Sequence, residues 1–393
     1  MSLNIVRIVV IKIIRRVKLS EIQEWKQQYN SFSSLKGLTY YETYKQIIDW
    51  MNGKSNYLPP PKECNIDPYA ECQLDCSFCI VQRYIKNHRE EVGEMRKLPT
   101  EYLLRLVDFL KEFGCKAGCF SGGGEPTLHD GLTKVLNRCT EIGLESSLVT
   151  NMADIKYDLM VALMQSRWVA MSVDACNSEL YKKIKGRDRF LDVIRNIQNL
   201  TRLKAVNNSK VDIAYKMLIL EENYTTIFET CKLAKELGCN TFHVRPVDLE
   251  RVDINGHKKQ KFNMAIVKEE FAKCHEIETD DFACYTIVHK FDKDFHVTQN
   301  FRHCLSTPLL MTVLTDGNSY ICVDKKVEKN WMLGSAYPDP SNILKWWGSD
   351  EHRERLKQIF PKTDCGGQRC TFCKYNEQME NIILEDKLYV NFP

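Results

Sequence analysis

The order of the predicted elements constrains this chain more than any other feature of it. From residue 63 the sequence alternates extended and helical patterns. A short strand at 63–67 is followed by a helix from Thr100, with Leu103, Leu106, Val107, Leu110 and Phe113 on one face. A strand at 117–121 precedes a second helix carrying Leu132, Val135, Leu136, Cys139 and Ile142. Further strands at 144–150, 168–174, 211–220 and 241–247 are separated by helical stretches, and Gly114, Gly143 and Gly238 stand where helices stop. Six strands alternating with helices predict an α/β fold of parallel units with right-handed crossovers. A closed eight-stranded barrel needs about two more units, so a partial (βα)6 barrel fits the pattern better.

In such barrels function collects on the loops beyond the carboxyl ends of the strands. The first of those loops carries Cys72, Cys76 and Cys79 at a C-x3-C-x2-C spacing, with Phe78 just before the third thiol. Thiolates are the ligands iron–sulfur clusters select, and three at this spacing can wrap three corners of a cubane, leaving one iron open. The second loop is Gly122-Gly123-Gly124-Glu125-Pro126, the third begins Thr150-Asn151, and Asp174 stands near the end of the fourth strand. Chemistry-bearing residues therefore converge on one rim.

A chain of 393 residues, 44% apolar and 27% charged, is long enough for two or three soluble domains. A net charge of +3 gives no reason to expect a nucleic-acid or membrane partner. The apolar tract at 4–17 is interrupted by Arg7 and Lys12 and is too short to span a bilayer. Seventeen cysteines in a long, aliphatic-rich chain without a signal-peptide pattern point to a reducing, cytoplasmic location and to metal. Cys139 and Cys231 fall on apolar helix faces, and Cys64, Cys115, Cys119, Cys176, Cys239, Cys274 and Cys284 are expected to pack likewise as small hydrophobes. Four segments result: a leader at 1–62 ending in three prolines, the barrel at 63–250, a polar connection at 251–300, and a cysteine-bearing region at 301–393. The last opens with a hairpin pattern at 309–314 and 319–323 around an Asp-Gly turn, then a Trp-rich helix at 342–359.

The cysteine loop, the Gly-Gly-Glu-Pro run one strand later and the six-unit alternation together resemble the radical S-adenosylmethionine (SAM) superfamily over residues 63–248. The resemblance implies a TIM-like partial barrel with a [4Fe–4S] cluster on Cys72, Cys76 and Cys79. Its open iron is chelated by SAM, and electrons come from a donor such as flavodoxin or ferredoxin. Reductive cleavage of SAM then gives a 5′-deoxyadenosyl radical that abstracts a substrate hydrogen. By the same resemblance Gly123, Gly124, Glu125 and Pro126 approach the SAM amino group, and Phe78 meets the adenine. Thr150, Asn151, Ser172 and Asp174 match positions that bind ribose and carboxylate. Lys216, a charge inside an apolar strand, needs a partner, and the SAM carboxylate is one candidate. His243 and Arg245, two apart on the sixth strand, can both face the interior, with Arg245 the candidate for SAM or substrate.

The C-terminal region resembles the auxiliary-cluster extension called SPASM, or its shorter form, twitch. Cys304, Cys322, Cys370 and Cys373 can ligate one further [4Fe–4S] cluster, with Cys365 as the rival fourth ligand; no cysteine follows Cys373 to hold another. Four thiolates also suit zinc, so a zinc-stabilised binding protein is the reading from another class. Asp324 is a weak candidate for the base that deprotonates a substrate radical. The expected function is two-electron oxidation of a small molecule or carbohydrate, with peptide maturation by crosslinking or epimerisation as the alternative.

Overall fold

The computed structural model describes residues 31, 33–79, 97–247, 261–287, 299–365 and 370–384. The tract at 4–17 and parts of the connection at 251–300 lie outside these residues. The chain divides into two compact units, Met1–Glu42 and Thr43–Pro393. In the first, a 3-10 turn at Ser34–Tyr40 is capped by the Ser33 hydroxyl, which accepts from Leu35 N.

The second unit is built on one eight-stranded sheet in the order β7-β6-β5-β4-β3-β2-β1-β8. Its strands are β1 (Glu63–Ile66), β2 (Ala117–Phe120), β3 (Glu145–Thr150), β4 (Trp168–Ser172), β5 (Asp212–Ile219), β6 (Thr241–Pro246), β7 (Ala283–Thr286) and β8 (Leu310–Val313). All seven adjacent pairings are parallel. The helices up to residue 276 are α1 (Tyr41–Met51), α2 (Thr100–Phe113), α3 (Leu132–Ile142), α4 (Tyr157–Leu163), α5 (Ser178–Lys185), α6 (Phe190–Val206), α7 (Ile227–Glu236) and α8 (Met264–Glu276). The six predicted strands all form, and β7 and β8 extend the sheet at its two edges.

The two faces of the sheet differ as their sequences require. Ile66, Phe120, Leu148, Val169 and Ile213 are register partners, as are Met171, Tyr215, Phe242 and Cys284, and all are buried. This face belongs to the same apolar cluster as Leu103, Leu106, Val107 and Leu110 of α2 and Val135, Leu136 and Cys139 of α3. Full burial of each such side chain is worth ~1.5–3 kcal/mol. Gly114 (φ 107°) ends α2, its N–H donating to Leu110 O and Lys111 O. The opposite face is polar. Thr312, Asn65, Cys119, Ser147 and Trp168 form one cross-strand row; Ser172, Lys216, His243 and Tyr285 form another nearer the carboxyl rim. Thr312, Asn65, Cys119 and Ser147 are themselves buried on this second, lumen face.

Three local expectations change. The segments around the Asp-Gly turn stay joined, Leu314 N donating to Asn318 O and Tyr320 N to Thr312 Oγ1, but their strand ladders lie elsewhere: β8 joins β1, and β9 (Asn318–Tyr320) pairs antiparallel with β10 (Met332–Ser335). Parallel docking against β1 satisfies the backbone of β8 on the main sheet. The helix expected at 342–359 is broken into Ile343–Trp346 and Asp350–Lys357 by Gly348 at φ 77° and the Ser349 N-cap. Among the cysteines expected in the core, Cys176 is only half-buried, whereas the other eight are buried. Cys231 and Cys284 bring their sulfurs within 3.4 Å across the back of the sheet.

Candidate active site

The loop carrying Cys72, Cys76 and Cys79 leaves the carboxyl end of β1 and is held from two sides. From one side Glu125 N donates to Glu71 O at 2.8 Å. A Cβ at Gly124 would lie 2.4 Å from Glu71 O and 2.5 Å from Tyr69 O, so only glycine lets the two loops meet. From the other side the end of α5 receives the loop backbone. Asp75 N donates to Lys185 O and Ser77 N to Ile184 O, both at 3.0 Å.

The three thiols are half-buried and within electrostatic reach of one another. Burial is the main cause that pushes Cys72 up to about 11 and Cys76 up to about 12, and each neighbouring thiolate adds to it. A thiol trio that resists ionisation alone becomes a thiolate ligand set when a strong cation shares its charge. The donor chemistry therefore fits an iron–sulfur cluster. Among the described residues no group of three or more His, Cys, Asp or Glu side chains converges on a single-ion site.

Behind the loop, Glu125 organises the ends of β2 and β3. Its buried carboxylate accepts from Thr127 N (3.1 Å), Thr127 Oγ1 (2.9 Å), Thr150 Oγ1 (2.6 Å) and Asn151 N (2.7 Å). Burial raises its pKa and these donors pull it partly back. Its acceptor positions are thus committed within the protein. Asn151 Nδ2 in turn donates to Cys72 Sγ at 3.5 Å and Gln73 Oε1 at 3.2 Å. Pro126 opens the 3-10 turn that Glu125 caps. Gly123 N donates to Asp67 Oδ2 at 3.1 Å.

The remaining candidates occupy the later strands. Ser172 and Lys216 are register partners on the lumen face, with Lys216 Nζ 5.6 Å from the Trp168 ring centroid. Arg245 pairs in register with Leu218 and donates through Nη1 to Pro246 O at 3.2 Å. Asp174 is buried, at φ 65°; its carboxylate takes Lys185 Nζ and Leu218 N (2.6 Å). Burial alone lowers the Lys185 pKa, but the Asp174 and Cys76 charges outweigh it and hold the ammonium charged. Lys185 Nζ also sits 5.2 Å from the Phe78 ring centroid. Sequence reasoning missed Asp67, Gln73 and Lys185. Asp67 at a strand end, just before the cysteine loop, was the available signal; nothing local marks Lys185.

The second thiol group draws together Cys304, Cys322, Cys370, Cys373 and Cys365. Cys322 feels Cys304 and Cys370, Cys370 feels Cys304 and Cys373, and Cys304 feels Cys365. Burial is the leading cause that raises Cys304, to about 12, and raises Cys322 and Cys370 well above the usual thiol range. Asn376 Oδ1 clamps the loop after Cys304, accepting from Leu305 N, Ser306 N and Ser306 Oγ at 2.8 Å each. Asp324 places its two oxygens on Thr371 N (2.7 Å) and Thr371 Oγ1 (3.0 Å), which fastens the loop beside Cys370. Beyond it, Lys326 Nζ reaches Asp67 Oδ1 at 2.8 Å and also donates to Asn65 Oδ1.

A parallel α/β sheet with three thiols on its carboxyl rim, clamped by a glycine-rich loop, defines the class of enzyme. The family model of the radical SAM superfamily matches residues 66–234. A match to that family implies a [4Fe–4S] cluster and SAM as cofactors. The chain is 28% identical over 205 residues to a probable GTP 3′,8-cyclase of Saccharolobus islandicus, across 50% of this chain and 62% of the relative. It is also 28% identical over 125 residues to an S-adenosylmethionine-dependent nucleotide dehydratase of Flammeovirga pacifica, across 31% of this chain and 41% of that one. The match thus spans less than two thirds of these curated relatives. In fold the chain resembles SuiB of Streptococcus suis bound to its precursor peptide SuiA, with a TM-score of 0.58 and 16% identity over 80% of this chain and 70% of SuiB. It also resembles anSMEcpe with bound AdoMet, with a TM-score of 0.55 and 18% identity over 76% of this chain and 80% of that one. Among the described residues no helix is long and apolar enough to cross a membrane.

Proposed function

We propose that this chain holds its [4Fe–4S] cluster on Cys72, Cys76 and Cys79 and binds SAM against the 122–126 loop. It then oxidises a polar small molecule, an alcohol or carbohydrate, by two electrons. The observation that carries the reading is the Lys326–Asp67 ion pair, which ties the segment following Cys322 to the lumen rim beside Gly123. Two thiol groups bordering one polar lumen suit a substrate that gives up a hydrogen atom on one side and an electron on the other. With cluster and SAM bound, the cofactor pair supplies the reductive cleavage that generates a 5′-deoxyadenosyl radical. The chain's own residues do the rest. Gly124 brings the second loop onto the first, Asn151 fixes Cys72, and the row Ser172, Lys216 and His243 offers hydrogen bonds and charge to a polar substrate. Cys304, Cys322, Cys370 and Cys373, with Cys365 as alternative, hold an auxiliary [4Fe–4S] cluster suited to accept the substrate's second electron, the first leaving with the abstracted hydrogen atom; a flavodoxin or ferredoxin supplies the separate electron that reduces the cluster on Cys72, Cys76 and Cys79.

Peptide maturation is the second reading, favoured by the fold shared with SuiB in its precursor-peptide complex. The cyclase and nucleotide-dehydratase relatives favour a nucleotide among polar substrates. Anaerobic purification with iron and sulfide analysis is the first test. About eight iron per chain supports both clusters, about four removes the auxiliary one, and zinc alone removes the enzyme reading in favour of a zinc-stabilised binding protein. Deuterium transfer from candidate alcohols, nucleotides and peptides into 5′-deoxyadenosine then identifies the substrate class. Intact clusters that release no 5′-deoxyadenosine from SAM under dithionite would defeat the proposal.

A further inference from the structure

Lys185, the last residue of α5, is only 2% exposed, yet it is a lysine. Its side chain is paired with the equally buried Asp174, and its ammonium lies 5.2 Å from the Phe78 ring centroid, between Cys76 and Cys79 in sequence. Its own carbonyl and that of Ile184 receive the N–H groups of Asp75 and Ser77, on either side of Cys76. Gly186 (φ 71°) completes the fit, because a Cβ there would lie 2.5 Å from Asp75 O. The cysteine loop therefore lies flat on the end of α5 with one buried cation beneath it. A buried ion pair is seldom a gain in stability over an apolar pair of the same size. Reaching this one also requires Asp174 to adopt a left-handed conformation. Such a charge is better explained by what it faces. Three thiolates and a cluster concentrate negative charge at this loop, and each electron added to the cluster makes it more negative. A fixed cation beneath them favours the reduced form.

We propose that Lys185 is a positioning residue for the cysteine loop and the fixed positive charge that raises the reduction potential of its cluster, with Asp174 setting how much of that charge the cluster feels. This rests on the reading that Cys72, Cys76 and Cys79 hold the cluster. Two substitutions then act in opposite directions. Lys185→Met removes the cation and leaves Asp174 behind, making the cluster harder to reduce. Asp174→Asn tolerates the left-handed backbone, still accepts from Leu218 N, and leaves the cluster as the principal counter-ion of Lys185, making it easier to reduce.

The test is an anaerobic redox titration of the reconstituted full-length protein by electron paramagnetic resonance, following the cluster whose signal changes when SAM is added. Lys185→Met should lower the reduction equilibrium constant at least tenfold, a shift of about 59 mV for one electron. Asp174→Asn should raise it at least threefold, and Lys185→Arg should return it to within threefold of the parent. Shifts of the same sign, or both under twofold, overturn the proposal. If Lys185→Met does not retain iron, Asp174→Asn and Lys185→Arg decide alone, and an Asp174→Asn shift toward harder reduction overturns it. A parent protein with no SAM-responsive cluster overturns the underlying reading of the loop, and the proposal with it.

Discussion

Asn151 donates its side-chain amide to the Cys72 sulfur at 3.5 Å while its backbone N–H donates to Glu125 at 2.7 Å. One residue at the end of β3 thereby joins the first thiol to the glutamate of the loop after β2. Asn151→Ala keeps the backbone bond and loses the side-chain ones to Cys72, Gln73 and Ala153 N. Stability should fall by about 1–2 kcal/mol, and iron should leave the reconstituted protein faster. Urea unfolding of the iron-free chain and the rate of iron release to a chelator measure the two effects.

Gly124 is fixed by backbone rather than by side chains. Alanine there would meet Glu71 O, Tyr69 O and Ala70 C within 2.6 Å, none of which can rotate away. Gly124→Ala should cost about 1–3 kcal/mol and weaken SAM binding by moving the two loops apart. Gly118→Ala, with its nearest neighbour 3.8 Å away, is the control and should be close to neutral. Chemical denaturation with a SAM titration separates the two variants; equal behaviour would mean the loops are not in this contact.

The ion pair between Lys326 and Asp67 is 12% and 2% exposed at its two side chains. Removing one partner leaves the other charge buried beside Asn65 and Gly123. Asp67→Asn or Lys326→Met alone should destabilise by about 3–5 kcal/mol, and the double variant should recover much of that. A double-mutant cycle in guanidinium reads the coupling. Additive losses would show that the pair does not fasten the segment after Cys322 to β1.

His352 gives the protein a predictable acid sensitivity. Its ring is buried against Trp50 and Trp347, with centroids 5.2 and 5.4 Å away, and Nδ1 accepts from Gly348 N. Burial, then the Arg355 charge, hold its pKa down to about 3 instead of 6.5. Between those values the unfolded chain takes up a proton that the folded chain refuses. This contribution is therefore complete above pH 6.5 and is lost as pH falls, by at most about 1.4 kcal/mol per pH unit. His352→Phe should flatten that part of the profile, so the gap between parent and variant stability should change by about 1 kcal/mol between pH 7 and pH 5.5. A gap independent of pH would place the proton elsewhere.

Much of the fold was legible because strand and helix periods differ and the helices end in glycine. The predicted helix at residue 100 runs to Phe113 as observed. What was not legible is non-local. Nothing in the sequence says that Leu310 will lie beside Glu63, so β8 was assigned to a hairpin and its place on the main sheet was lost. Gly348 falls inside the helix expected at 342–359, and only its φ of 77° reveals the break. The thiols were legible by covalent spacing, but the second layer was not. Glu125 and Asp174 are expected near SAM, and spacing did not reveal that their carboxylates also carry Thr150 and Asn151 in one case and Lys185 in the other. Those partners come from neighbouring strands and helices, and spacing along the chain does not encode them.

The pairing of β1 with β8 also orders events during synthesis. Residue 63 emerges early from the ribosome, but its outer partner is residue 310. Until that segment is made, the strand that leads into the cysteine loop presents an unpaired edge, a template for wrong partners. Long-range parallel pairing of this kind closes slowly. Loading iron before the last strand docks would commit a half-supported loop, so cluster insertion should follow completion of the chain.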